Sequence, residues 1–148
     1  MAKIYFFEED VSYLLKRKTR IKDWIFLTAK EEGRKVENIN IILCSDAYLL
    51  ELNVQHLNHN YLTDVITFPL ENRKGFINGD IFISLDRLQV NSLNYKVSLE
   101  IELLRVIIHG VLHLLGYGDK RVDDRKIMKS KENYYLELFN EMPVVKTV

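Results

Sequence analysis

The stretch His109-Gly110-Val111-Leu112-His113-Leu114-Leu115-Gly116-Tyr117-Gly118-Asp119 decides how this chain is read. Two histidines stand four apart in an apolar run that predicts a helix. Positions i and i+4 lie about 40° apart around a helix of 3.6 residues per turn, so both imidazoles leave one face. Gly116 offers a stop, because glycine readily takes the left-handed conformation that ends many helices. The chain can then turn back and bring Asp119 to the same point. Two nitrogen donors and one carboxylate, with a position open for water, form the pattern of a catalytic zinc rather than a closed structural one. We therefore expect His109, His113 and Asp119 to hold one zinc ion.

A plainer reading stands beside this one: histidines on an apolar helix that are packed and hydrogen-bonded. The run Leu103, Leu104, Val106, Ile107, Ile108 predicts a buried helix. Two adjacent buried imidazoles need partners for four ring nitrogens, and a metal on one nitrogen of each supplies half of them. An ion held this way lowers the pKa of bound water and polarises a phosphoryl oxygen. The residue after the first histidine is Gly110, where zinc proteases of the H-E-x-x-H type carry their glutamate base. A small metalloprotease is therefore disfavoured. Gly110 costs roughly 1 kcal/mol against alanine in a helix, which predicts close packing at that point.

The same residues resemble the signature of the YbeY family of metal-dependent endoribonucleases, H-G-x-L-H-L-x-G-Y-D-H followed by a methionine. His109, Gly110, Leu112, His113, Leu114, Gly116 and Tyr117 match, and Met128 falls where the methionine belongs. Glu51-Leu52-Asn53 with Thr63-Asp64-Val65-Ile66-Thr67-Phe68-Pro69 resembles the family's L-N…T-D-V-L-S-F-P segment. Gly79-Asp80-Ile81-Phe82-Ile83-Ser84 resembles its G-D-I-x-I-S strand. The resemblance runs from about residue 50 to 128. It implies a zinc-dependent, single-strand-specific endoribonuclease acting in ribosomal RNA maturation (the 3′ end of 16S) and in ribosome quality control. Its implied partners are precursor ribosomal RNA and proteins of the small ribosomal subunit. The chain departs from the pattern at three places: Asp119 replaces the third histidine, Leu57 stands where an arginine is usual, and Leu62 replaces a proline. The missing arginine keeps a second function in view, a metal-stabilised ribosome assembly factor with little nuclease activity.

Composition bounds the rest. The 148 residues suit one domain, residues 1–148, with 47% hydrophobic and 11% aromatic content as in soluble globular proteins. A net charge of zero argues against a uniformly basic nucleic-acid binder, so RNA contact must come from a local patch. The single cysteine, Cys44, excludes an internal disulfide and suggests a reducing compartment. Its apolar surroundings predict a core thiol. No signal peptide or membrane span is visible, so a cytoplasmic location is expected.

The pattern predicts an α+β fold, a small mixed sheet of about four strands packed by helices, with the metal site on a buried central helix. Strands are expected at 3–8, 36–43, 65–69 and 80–84. Helices are expected at 21–32, 46–57 with Ser45 as N-cap, 86–93, from Ser98 through the histidines, and 123–139. On the last helix Ile127, Tyr134 and Leu138 are expected to face inward. Glu102 reads as a helix-terminal carboxylate rather than an imidazole acceptor, because seven residues rise about 10 Å. Asp64 and Asp80 read as structural hydrogen-bonding groups. His56 and His59 read as loop residues, with His59 a candidate catalytic contact to substrate. Lys120, Arg121 and Arg125, directly after the motif, are candidate phosphate-binding residues. The run Lys16-Arg17-Lys18-Thr19-Arg20-Ile21-Lys22 reads as a solvated face.

Overall fold

In the computed structural model, residues 2–59, 61–70 and 73–143 are described. The chain runs β1 (Lys3–Glu8), α1 (Lys18–Glu31), β2 (Lys35–Cys44), α2 (Asp46–Leu57), β3 (Val65–Pro69), β4 (Phe76–Ser84), α3 (Leu85–Tyr95), α4 (Leu99–Leu114) and α5 (Val122–Glu141). The sheet order is β1-β2-β4-β3. β1 and β4 both pair parallel with β2, and β3 returns antiparallel along β4. The α+β architecture with a four-stranded mixed sheet is therefore the one expected. Parallel pairs need long crossovers, and α1 and α2 lie in the two that connect β1 to β2 and β2 to β4.

Side chains alternate across the sheet. Ile39, Ile41 and Leu43 of β2 and Ile77, Ile81 and Ile83 of β4 enter the main core with α1, α4 and α5. Cys44, Ile66, Phe68 and Phe82 turn to the other face, where Leu49, Tyr48 and Leu52 of α2 cover them. Cys44 is fully buried, and burial pushes its thiol up to about 12. It is an inert core group, as its neighbours in sequence suggested.

Helix α4 is buried along most of its length, from Glu102 to Leu112. It lies close on β4. A Cβ at Gly110 would sit 2.7 Å from the Cγ2 of Ile81, and one at Gly79 would sit 2.5 Å from Leu114 and 2.9 Å from the carbonyl oxygen of Phe68. The two glycines face this contact from helix and strand. That closeness is what a glycine inside a strong helix pattern predicted.

Two sequence expectations need correction. β4 begins at Phe76 rather than Asp80, because Asn78 and Gly79 are in register with β2, and Gly79 also with β3, in a central strand. On α5, Ile127 and Tyr134 are exposed, 48% and 56%. The buried stripe is Met128, Glu132, Tyr135 and Phe139, a helical 4-3-4 spacing that includes a glutamate. Leu138 packs at the core margin as expected.

The basic run at the start of α1 is used structurally. Arg17 pairs with Glu100. Arg20 donates to the carbonyls of Phe139, Met142 and Pro143 at the end of α5 and stacks 4.8 Å from the Phe139 ring centre. At the other end of α1, Glu32 accepts from Tyr117 Oη at 2.5 Å, from Lys131 Nζ at 3.0 Å and from Tyr135 Oη. Burial acts to raise the Glu32 pKa, but these three donors outweigh it and leave the carboxyl below its ordinary value. A depressed carboxylate stabilises the fold above its unfolded pKa, and that contribution is lost as pH falls through the folded value. Glu32→Gln should therefore cost about 1–3 kcal/mol at neutral pH. In urea unfolding, the gap from wild type should close as pH drops into the acid range. A gap that stays constant with pH would show that the charge contributes nothing.

Candidate metal centre

α4 ends one residue after the second histidine for a local reason. Gly116 takes φ +106°, its N–H bonds to the carbonyl of His113, and the N–H of Tyr117 bonds to that of Leu112. This pair of bonds is the Schellman closure. It reverses the chain and sends residues 117–119 back toward the last turn of the helix.

Three donor atoms converge there. His113 Nε2 lies 2.9 Å from His109 Nε2 and 3.2 Å from Asp119 Oδ2, and His109 Nε2 lies 3.3 Å from the same oxygen. The opposite edge of each ring is held by an acceptor. His109 Nδ1 is 2.6 Å from Glu132 Oε2, and His113 Nδ1 is 2.8 Å from the carbonyl oxygen of Tyr117. A carbonyl cannot donate, so His113 Nδ1 carries the proton, and the carboxylate fixes His109 the same way. In the neutral tautomers both Nε2 atoms are bare lone pairs. Two lone pairs and a carboxylate oxygen pointing at one spot repel unless a cation joins them. Tetrahedral zinc with bonds of about 2.0–2.1 Å would space its ligand atoms about 3.3 Å apart. The residues fit the ion: His109, His113 and Asp119 are a group that can hold a metal.

Around the cluster lies a partly buried charge network that the sequence did not reveal. Arg105, one turn before His109, donates to Glu102 at 2.5 and 2.9 Å and to Glu132 Oε1 at 3.2 Å. Its guanidinium is also 3.8 Å from Asp64, which accepts from Asn91 along with Glu102. Glu102 is 1% exposed, so it is a buried partner of Arg105 and not merely a helix-terminal carboxylate. The imidazole acceptor is Glu132. The available signal was its place in the apolar stripe of α5. Burial raises the Asp64 carboxyl above its ordinary pKa, against the opposing charges of Arg105 and His109. For His109, burial disfavours the charged ring. The Glu132 bond and the charges of Glu132, Asp64 and Asp119 outweigh that, and its pKa is raised.

The other sequence candidates differ in their relation to this centre. A cavity of about 620 Å³ opens beside His109 and Asp119, and Arg125 and Lys129 line it. Lys120 and Arg121 lie in the turn and at the N-cap of α5, where the Lys120 carbonyl accepts from Arg125. They are not among the cavity-lining residues. His59 is exposed, follows the left-handed Asn58 at the end of α2, and has Nδ1 3.1 Å from Tyr61 Oη. Leu57, in the position of the family's arginine, is also exposed. The His56 ring stands edge-on to Phe68, and Asp80 accepts from Asn40 at 2.9 Å.

Metal must displace the proton that His109 holds more tightly than an ordinary imidazole. Zinc affinity should therefore fall as pH is lowered through that raised value. Glu132→Gln should weaken zinc binding about 10–100-fold and move the pH threshold downward, because the carboxylate that favours the charged ring is gone. Competitive chelator titrations at about pH 6 and about pH 8 measure both. Unchanged affinity in this variant would remove Glu132 from the centre.

Comparison with known proteins agrees with this geometry. A family model described as Endoribonuclease YbeY matches residues 7–140. A curated relative from Cytophaga hutchinsonii, named Endoribonuclease YbeY, is 44% identical over 135 residues, covering 91% of this chain and 94% of that protein. One of the same name from Karelsulcia muelleri is 48% identical over 113 residues, 76% of this chain and 79% of that protein. The solution structure of a Thermotoga maritima protein superposes with a TM-score of 0.65 at 30% identity, covering 93% of this chain and 89% of that one. With its two histidines and Asp119 brought together where the family signature lies, this chain belongs to the YbeY endoribonuclease family.

Proposed function

We propose that this protein is a zinc-dependent endoribonuclease that hydrolyses single-stranded RNA during ribosomal RNA maturation. The observation that carries the reading is the convergence of the two Nε2 atoms and the Asp119 carboxylate at the wall of a cavity that Arg125 and Lys129 also line. RNA as substrate comes from the names of the relatives. Zinc, when bound, supplies Lewis acidity toward water and a phosphoryl oxygen.

The chain's own residues do the rest. His109 and His113 are locked by Glu132 and the Tyr117 carbonyl into the tautomer that presents Nε2. Arg125 and Lys129 offer positive charge to the phosphodiester at the cavity, with Lys120 and Arg121 extending that charge along the incoming strand. His59 is the candidate to touch substrate from the loop after α2. Among the described residues no helix is long and apolar enough to cross a membrane, which is compatible with a cytoplasmic site of action. Leu57 in place of the family's arginine favours the assembly-factor reading, in which the same centre is structural.

Cleavage of a single-stranded RNA oligonucleotide by purified protein separates these readings. Chelation should stop cleavage, zinc should restore it, and His113→Ala should abolish it together with stoichiometric zinc. Arg125→Ala with Lys129→Ala should raise KM and leave kcat closer to wild type. The same pair should reduce the salt dependence by roughly 0.7 in log–log slope for each phosphate no longer neutralised. Wild-type protein that binds zinc and ribosomal RNA without cutting either a duplex or a single strand would establish the assembly-factor reading.

A further inference from the structure

The cavity beside the metal cluster has two kinds of wall. One is polar: beside His109 it carries three acids, Glu102, Asp119 and Glu132, and three cations, Arg105, Arg125 and Lys129. The other is apolar, formed by Tyr95 at the end of α3, Val97 in the following turn, Ile101 in the first turn of α4 and Leu136 of α5. Tyr95, Val97 and Ile101 are 60%, 36% and 49% exposed, so the core does not account for their type. Phosphate binding does not account for it either, since a phosphodiester needs only charge and hydrogen bonds. An apolar patch next to a polar, cation-bearing wall marks a ligand with both characters.

The apolar wall is firmly built. Lys96 takes the left-handed conformation at φ 56°, and the Val97 N–H bonds to the Ser92 carbonyl at 3.0 Å. Ser98 then caps α4 by accepting from the Ile101 N–H. These bonds fix the backbone on both sides of Tyr95 and Val97. The Arg105 guanidinium lies 5.7 Å from the centre of the Tyr95 ring, a cation–π contact that biases the ring's position. The ring is thus tied to the same arginine that holds Glu132 behind His109.

We propose that this cavity is a subsite for one unpaired nucleobase next to the bound phosphate, with Tyr95 as its stacking surface. The inference rests on the RNA-cleaving reading above. Aromatic side chains are the common platform for splayed bases in single strands, because every base has a π-face. The cavity's 620 Å³ lies in the usual range for small-ligand sites, roughly 300–1,000 Å³. A base in a duplex has both faces stacked and its edge paired, so it cannot enter. The subsite therefore selects single strands by shape, with Tyr95, Val97 and Ile101 setting that selectivity and Arg125 and Lys129 holding the backbone.

Equilibrium binding of adenosine 5′-monophosphate and of ribose 5-phosphate to the zinc-loaded full-length protein tests this. The two ligands share the phosphate and differ by the base. Wild type should prefer the mononucleotide by about 5- to 150-fold, the usual worth of one base–aromatic stack. Tyr95→Ala should erase most of that preference while leaving ribose 5-phosphate affinity and zinc stoichiometry unchanged, and Tyr95→Trp should keep it. Ile101→Trp, which narrows the cavity, should lower mononucleotide binding more than ribose 5-phosphate binding. No preference in wild type, or an equal loss for both ligands in Tyr95→Ala, overturns the subsite. RNA cleavage by a wild type without base preference would defeat the subsite and leave the nuclease reading standing. A retained base preference in a protein that cuts no RNA would do the reverse.

Discussion

Everything in this protein's candidate centre depends on proton placement at two imidazoles. Each ring donates from Nδ1 to an acceptor behind it, Glu132 for His109 and the Tyr117 carbonyl for His113. That leaves two Nε2 lone pairs 2.9 Å apart and facing Asp119. Either a proton or a metal cation can join these donors, and the surrounding structure holds them in place. Glu132 is held by Arg105, which Glu102 and Asp64 anchor in turn. The Tyr117 side chain is held by Glu32, which also binds Tyr135 and Lys131. The sheet contributes by letting α4 approach closely at Gly79 and Gly110. Sheet, α1 and α5 therefore all act on the direction of two ring nitrogens.

The fold was legible where the signals were local. The apolar run before His109 specified a buried helix, Ser45 and Ser98 accept from Tyr48 and Ile101 as N-caps do, and alternating Ile residues marked the strands. The errors came from polar residues in buried places. Asn78 and Gly79 look like turn residues but lie inside β4, because a central strand needs pairing more than it needs side-chain volume there. On α5 the apolar Ile127 and Tyr134 invited an inward assignment, whereas the true inner stripe contains Glu132. A glutamate at a core position looks like an error until its partners, His109 and Arg105, are in view.

The centre divides in the same way. Its three donors span eleven positions of one helix and its turn, so spacing alone brought them together. Glu132 and Asp64 come from other elements, and only tertiary packing places them beside residues 105–109. Arg105 stands one turn before His109 in the sequence, yet an arginine in an otherwise apolar helix gives no hint of which acids it will meet. Tyr95 ends α3 and Val97 follows it in the turn before α4, and their exposure beside the cavity, rather than their type, is what tertiary structure adds.

Charge explains how the departures from the family pattern fit together. Aspartate at position 119 adds a negative charge to the donor set that the usual histidine would not. Behind it, three carboxylates share one guanidinium. This surplus favours a cation, and the Glu132 bond with the charges of Glu132, Asp64 and Asp119 raises the His109 pKa, but the surplus also opposes a phosphate anion. With Leu57 in place of a loop arginine, the compensating charge must come from elsewhere. Arg125 and Lys129 are the exposed cations that line the cavity next to the donors. A helix that presents Glu132 inward to His109 and Arg125 and Lys129 outward to the cavity keeps opposite charges apart on one scaffold. The acid on its inner side orients His109, and the bases on its outer side leave positive charge at the cavity.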